Sequence, residues 1–202
     1  GGNDPGKVSS SGVKEKDINL ILDESFLDFA DDEHISMLSE RVLCENSNLY
    51  VVKSISKSYG VPGLRLGILA SGNVDMIKVL KQTVPIWNIN SLAEFFMQIL
   101  DKYKNDYKNS LVKLRLERIR FFKKLCQIKG LKVYPSQANY FMCELLEKNS
   151  LEVAGALLED NILIKDLTSK IHNGKQYIRL AIRTEEENNM LAKKLKNILE
   201  LI

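Results

Sequence analysis

The sequence predicts an α/β protein with a smaller α+β unit toward its C-terminal end. Three observations carry this. Short apolar runs at Ile18–Leu22, Leu49–Ile55 and Leu66–Ala70 alternate with a helical stretch, the rhythm of strands joined by crossovers. From Leu92 to Lys129 the apolar residues keep three- and four-residue steps, as one long helical region would. Beyond Gly130 the texture changes to closely spaced short strands interrupted by two helices.

Taken in order, Gly1 to Gly12 is small, polar and aperiodic, which predicts a tail, a loop remnant or a cloning remnant. The first strand, Ile18–Leu22, follows almost at once and ends at Asp23. So abrupt an opening on a core strand leads us to expect missing sequence before it. Glu33 to Cys44 has helical spacing, with Ile35, Leu38 and Val42 on one face. The strand at Leu49–Ile55 is next, then the glycine-bounded strand Leu66–Ala70, and the alternation predicts parallel pairing. Val74–Thr83 reads as a helix broken by Pro85-Ile86-Trp87-Asn88.

Ser91 is placed to cap a helix from Leu92, with Glu94 completing a capping box. Along this helical region Val112, Leu116, Ile119, Phe122 and Cys126 form the expected inward stripe, broadened by Leu111, Leu114 and Leu125. Gly130 stops it. Strands are expected at Leu131–Tyr134, Asn139–Leu145, Ile162–Lys165 and Gln176–Ile182. Helices are expected at Leu151–Glu159 and Glu185–Leu199, the latter capped by Thr184. The expected organisation is a tail at 1–17, part of a large domain at 18–105, a connecting helix at 106–130 and a small domain at 131–202.

Composition narrows the function. The chain of 202 residues is 45% hydrophobic and 27% charged, an ordinary globular balance. A net charge of +3, with both signs interspersed, gives no basic patch for nucleic acid or a membrane surface. No apolar run approaches the roughly 20 residues of a spanning helix. A soluble, cytoplasmic setting is expected. Cys44, Cys126 and Cys143 are scattered and read as small buried hydrophobes. His34 and His172 stand far apart, so neither a zinc site nor a catalytic triad is expected, and no metal.

The chemistry is concentrated in Ser54-Ile55-Ser56-Lys57-Ser58-Tyr59-Gly60-Val61-Pro62-Gly63-Leu64-Arg65-Leu66-Gly67. Lys57 follows the end of an apolar strand, where open α/β sheets bind their ligands. Arg65 comes eight residues later, through a loop whose Gly60, Pro62 and Gly63 allow it to fold back beside the lysine. A lysine supplies an amine for a Schiff base, while an arginine and serine hydroxyls supply donors to a phosphate. Each piece alone is a common surface or turn feature. Their combination is specific.

That combination is similar, at its constrained positions, to the lysine-attachment signature of class I/II aminotransferases. Asp23-Glu24-Ser25-Phe26, which begins 34 residues before Lys57, resembles the same family's Asp-Glu-Ala-Tyr/Phe motif. The resemblance implies a partial three-layer transferase domain, a small C-terminal domain and pyridoxal 5'-phosphate as cofactor. It implies Lys57 as the Schiff-base lysine, Asp23 at the pyridine nitrogen, and Ser54 and Arg65 at the phosphate. Phe26 departs from the tyrosine of many relatives and cannot donate a hydrogen bond to the ring hydroxyl. Downstream, Tyr177-Ile178-Arg179-Leu180-Ala181-Ile182-Arg183-Thr184 resembles the strand that binds the substrate carboxylate, through Arg179. A bidentate guanidinium suits a carboxylate.

Within the family the residues most resemble threonine-phosphate decarboxylases, then histidinol-phosphate aminotransferases. Ile18–Phe29, Val61–Gly67, Val133–Tyr140 and Arg179–Thr184 carry this, and Arg183 matches a second arginine there, suited to an acidic group such as a substrate phosphate. The implied substrate is an amino acid or amino-acid phosphate, and the implied assembly a homodimer. Family members are longer on the N-terminal side, so this polypeptide alone is expected to bind cofactor weakly and turn over poorly. Two rival readings stay open: a non-catalytic structural or interaction fragment, and a phosphate-binding α/β domain using only Ser54 and Arg65.

Overall fold

The computed structural model describes residues 18–32 and 35–200. The N-terminal tail and the start of the helix expected at Glu33, with His34, lie outside the described residues. The described residues divide into two compact units: 18–28 with 32 and 35–104, and 29–31 with 105–200.

In the first unit β1 (Leu20–Asp23), β2 (Leu49–Ser54) and β3 (Gly67–Ser71) form a sheet in that order. Apolar Leu49, Tyr50 and Val51 sit buried at its centre. β1 and β2 run parallel, with Leu20 opposite Leu49 and Asp23 opposite Val52. β3 is antiparallel to β2, from Tyr50 opposite Ser71 to Ser54 opposite Gly67. This corrects the expectation that the third strand is parallel. Its connection from β2 holds only the one-turn helix α1 (Ile55–Ser58) and a 3-10 turn at Pro62–Leu64, too little for a crossover. Left-handed backbone at Gly60 (φ 67°) and Arg65 (φ 55°) turns the chain back, and the Ile55 N–H closes onto the Leu66 carbonyl at 3.1 Å.

The helix expected from Glu33 begins only at Glu40 and forms α2 (Glu40–Glu45). Buried Glu24 is the reason. Its carboxylate accepts from the Ser36 hydroxyl at 2.7 Å and the Met37 N–H at 2.6 Å, tying that stretch to the end of β1. Helix α3 is Val74–Thr83 and α4 is Ser91–Ile99. The cap of α4 is Asn90, whose side chain accepts from the Ala93 N–H at 3.0 Å, and not Ser91 as expected. Asn90 also donates to the Leu64 carbonyl at 3.0 Å, which fixes it at the cap.

A 3-10 turn at Leu100–Tyr103 separates α4 from α5 (Lys104–Leu125), so the long helical region is two helices. The buried face of α5 carries Leu111, Arg118, Phe121 and Leu125. Val112, Leu116 and Ile119, expected to face inward, are 51%, 64% and 49% exposed. The helix has two apolar stripes, and the core takes the one containing a charged residue because Arg118 finds its partners there.

In this second unit β4 (Leu131–Val133), β5 (Tyr140–Leu145), β6 (Lys165–Asp166) and β7 (Gln176–Ala181) form an antiparallel sheet in the order β4-β5-β7-β6. β6 starts three residues later than the strand expected at Ile162. Ile162 and Ile164 instead pack against the core from the preceding loop. Helices α6 (Ser150–Glu159) and α7 (Glu185–Glu200) complete the unit. Thr184 does cap α7, its hydroxyl accepting from the Glu187 N–H at 3.3 Å. Phe121, Leu125, Phe141, Leu157, Ile178, Leu180 and Leu195 form the core. Of the cysteines, Cys143 is buried there, with burial pushing its thiol up to about 12, but Cys44 and Cys126 are exposed. They lie at or just past helix ends, which corrects the reading of all three as core residues.

Candidate active site

The end of β2 and the returning loop enclose an open cavity of about 520 Å³ in the first unit. Ser25, Lys53, Ser54, Ser56, Arg65 and Asn88 contribute to its lining. Ser54 is brought there by the pairing of β2 with β3. Arg65 is brought there by its left-handed backbone, a conformation costing a non-glycine residue about 1–2 kcal/mol. Strain of this kind at a charged cavity residue is characteristic of functional sites. The Ser56 hydroxyl is engaged by the Leu66 N–H at 3.3 Å, which ties the lysine helix to the arginine loop. A guanidinium among serine hydroxyls is a donor set suited to a phosphate.

Asp23 and Lys57 form the second part. Asp23 ends β1, and its carboxylate accepts from the Ser25 N–H at 2.8 Å. The Ser25 hydroxyl and then that N–H hold Asp23 below the usual carboxylate range; burial opposes them, and the positive charge of Lys57 adds to the lowering. Asp23 therefore caps the turn and shares a field with the lysine. The Lys57 nitrogen stands 4.1 Å from the centroid of the Phe26 ring. Ser25 links the two parts, since its hydroxyl accepts from the Ser54 N–H at 3.0 Å.

Arg179 and Arg183 belong to the second unit. Both project from the outer face of the β7 strand line, opposite buried Ile178, Leu180 and Ile182. Arg179 lies over the Tyr140 ring at 5.1 Å. Arg183 donates through Nε to Glu187 at 2.7 Å, so α7 holds one edge of that guanidinium.

Of the residues expected from sequence, Ser54 and Arg65 line the cavity, with Ser56 as one of the serine hydroxyls expected beside Lys57; Lys57 and Asp23 are not among its lining residues, and Ser25 and Asn88 were missed. Ser25 lies inside Asp23-Glu24-Ser25-Phe26, so a signal existed. Asn88 had only the look of a helix breaker. Lys53, in an ion pair with Asp28, likewise gave no sign beyond its strand position.

Fold and chemistry together define an α/β protein whose second strand ends at a cavity lined by serines and Arg65. The particular family follows from comparison. Residues 11–195 match the model of aminotransferase class I and II, and the chain belongs to that family. It is 35% identical to the L-serine phosphate decarboxylase of Campylobacter jejuni, over 89% of this chain and 47% of the relative. It is 34% identical to the threonine-phosphate decarboxylase of Salmonella typhimurium, over 92% of this chain and 50% of the relative. The structure superposes on the histidinol-phosphate aminotransferase of Clostridium acetobutylicum with a TM-score of 0.87 at 27% identity, covering 96% of this chain and 57% of the other. The chain thus spans about half the length of the curated relatives it matches.

Proposed function

We propose that the protein is a pyridoxal-phosphate-dependent, aminotransferase-like enzyme acting on an amino acid or amino-acid phosphate, with Lys57 as its cofactor lysine. Family membership implies pyridoxal 5'-phosphate, and the residues present suit it. The carrying observation is Ser25, whose N–H donates to Asp23 and whose hydroxyl accepts from the Ser54 N–H at the serine-arginine cavity, three residues before Lys57. When bound, the cofactor supplies an electron sink for charge developing at the substrate α-carbon. Lys57 provides the amine that anchors the aldehyde. Asp23, kept ionised by Ser25, favours a protonated pyridine nitrogen. Ser54 and Arg65 bind the phosphate, and Arg65 also fixes its orientation. Arg179 takes the substrate carboxylate, and Arg183 a second acidic group.

Decarboxylation in the manner of threonine-phosphate enzymes is a second reading. The identity to two phospho-amino-acid decarboxylases supports it, as does Phe26 in place of tyrosine. Transamination and decarboxylation differ in which α-carbon bond is held perpendicular to the cofactor ring, which the grip on the carboxylate decides. Incubation with O-phospho-L-serine, L-threonine O-3-phosphate and L-histidinol phosphate separates the two. Amino-group transfer to 2-oxoglutarate supports the first, and carbon dioxide release without an acceptor supports the second. No cofactor-dependent change in absorbance at saturating pyridoxal 5'-phosphate rejects both.

Self-association into a homodimer and a cytoplasmic setting are part of the same proposal. Ile86 and Trp87, 95% and 90% exposed between α3 and α4, support an interface. Among the described residues no helix is long and apolar enough to cross a membrane.

A further inference from the structure

Arg118 is the one charged side chain in the buried stripe of α5, and its guanidinium is 4% exposed. A buried cation is tolerated only when paired and saturated with hydrogen bonds. Its Nη1 donates to the carbonyls of Phe29, Gln137 and Ala138 at 2.6, 2.8 and 3.2 Å. Its Nη2 pairs with the Asp31 carboxylate at 2.5 Å. Gln137 closes the cluster, donating to Asp31 at 3.1 Å and accepting from the Asp31 N–H at 2.9 Å. The guanidinium therefore pins two segments at once: residues 29–31 and the approach to β5.

What lies beyond that approach gives the cluster a purpose. The Asn139 carbonyl accepts from the Ile182 N–H at 2.9 Å, registering the loop against the end of the β7 strand line. Tyr140 follows, and its ring is the surface against which Arg179 rests. On the strand, Tyr140 stands opposite Ala181 and Met142 opposite Arg179. We infer that Arg118 is a positioning residue for carboxylate recognition, acting through residues 137–140 to hold Tyr140 and so set the Arg179 guanidinium. This rests on the proposed role of Arg179. A lysine in place of Arg118 keeps the charge but not the planar fork that reaches three carbonyls and a carboxylate together.

The test compares two probes on the cofactor-loaded protein: O-phospho-L-serine, which carries the α-carboxylate, and O-phosphoethanolamine, which lacks it. Dissociation constants are read by calorimetry for wild type, Arg118→Lys, Asp31→Asn and Arg179→Ala. Arg118→Lys is expected to weaken O-phospho-L-serine by about threefold to thirtyfold, the range of indirect coupling effects, and to leave O-phosphoethanolamine within about twofold. Asp31→Asn, which keeps the carbonyl contacts, gives a smaller change of the same selectivity and covers the case of a poorly folding lysine variant. Equal weakening of both probes, or none, overturns the inference. Arg179→Ala separates the two levels of the argument. If it is carboxylate-selective and neither Arg118→Lys nor Asp31→Asn is, positioning fails while the Arg179 reading stands. If Arg179→Ala is itself unselective, both fall.

Discussion

The side-chain nitrogen of Lys57 rests 4.1 Å from the centre of the Phe26 ring, so the aromatic face, and not a hydroxyl, is its resting partner. A cation over a ring at a solvent-facing site gains about 0.5–1 kcal/mol. Phe26→Leu removes the ring and is expected to raise the rate of Lys57 reductive methylation severalfold. The reference is Lys78, whose side chain is 68% exposed. Phe26→Tyr keeps the face and the protection. Mass spectrometry of the modified peptides reads both, and an unchanged Lys57 rate in Phe26→Leu contradicts the contact.

Arg65 combines a left-handed backbone with a cavity guanidinium. Arg65→Gly separates the two. It is expected to keep or raise thermal stability, because glycine adopts φ 55° without strain, while weakening pyridoxal phosphate binding by about tenfold or more, the value of a charge-assisted hydrogen bond. Arg65→Ala shows the binding loss without the relief. Melting curves and absorbance titrations are the two measurements.

Gly72 follows β3 directly, and a Cβ there would stand 2.0 Å from the Leu43 carbonyl oxygen of α2. Backbone cannot yield as a flexible side chain can. Gly72→Ala is expected to destabilise the first unit by about 1–3 kcal/mol, as overpacking does, read from the urea midpoint.

Glu144, buried on β5, accepts from the Tyr134 hydroxyl at 2.6 Å and pairs with Lys175 at 2.8 Å. Lys175 first, and Tyr134 next, hold its carboxyl below the usual range, while the bond to Glu144 raises Tyr134. A depressed carboxylate contributes stability above its unfolded value of about 4.3, lost as pH falls through the lower folded value. A raised tyrosine contributes below its unfolded value of about 10, lost as pH rises through the higher folded value. Glu144→Gln is therefore expected to lower the melting temperature most between those limits, with the gap to wild type closing on both sides. A gap independent of pH would contradict the assignment.

The order of strands and helices was legible because β2, α3 and α7 carry strong local patterns. The meeting of Ser54 and Arg65 at one cavity was legible because the segment that carries both is local in sequence. What escaped depends on distant partners. The α2 start was hidden because Glu24 binds Ser36 and Met37 from outside the helix. The inward face of α5 was misassigned because a charged residue usually marks the solvent side, and Arg118 is satisfied by carbonyls remote in the chain. The reversal of β3 hinges on a positive φ at Arg65, which no rule about arginine announces.

Borohydride trapping of the protein with pyridoxal 5'-phosphate, followed by peptide mapping, addresses the central claim most directly. The reduced label is expected on Lys57, and is lost in Lys57→Ala and in Lys57→Arg, which preserves the charge but not the reactive amine. Labelling of Lys57 no greater than that of exposed Lys78 would contradict it.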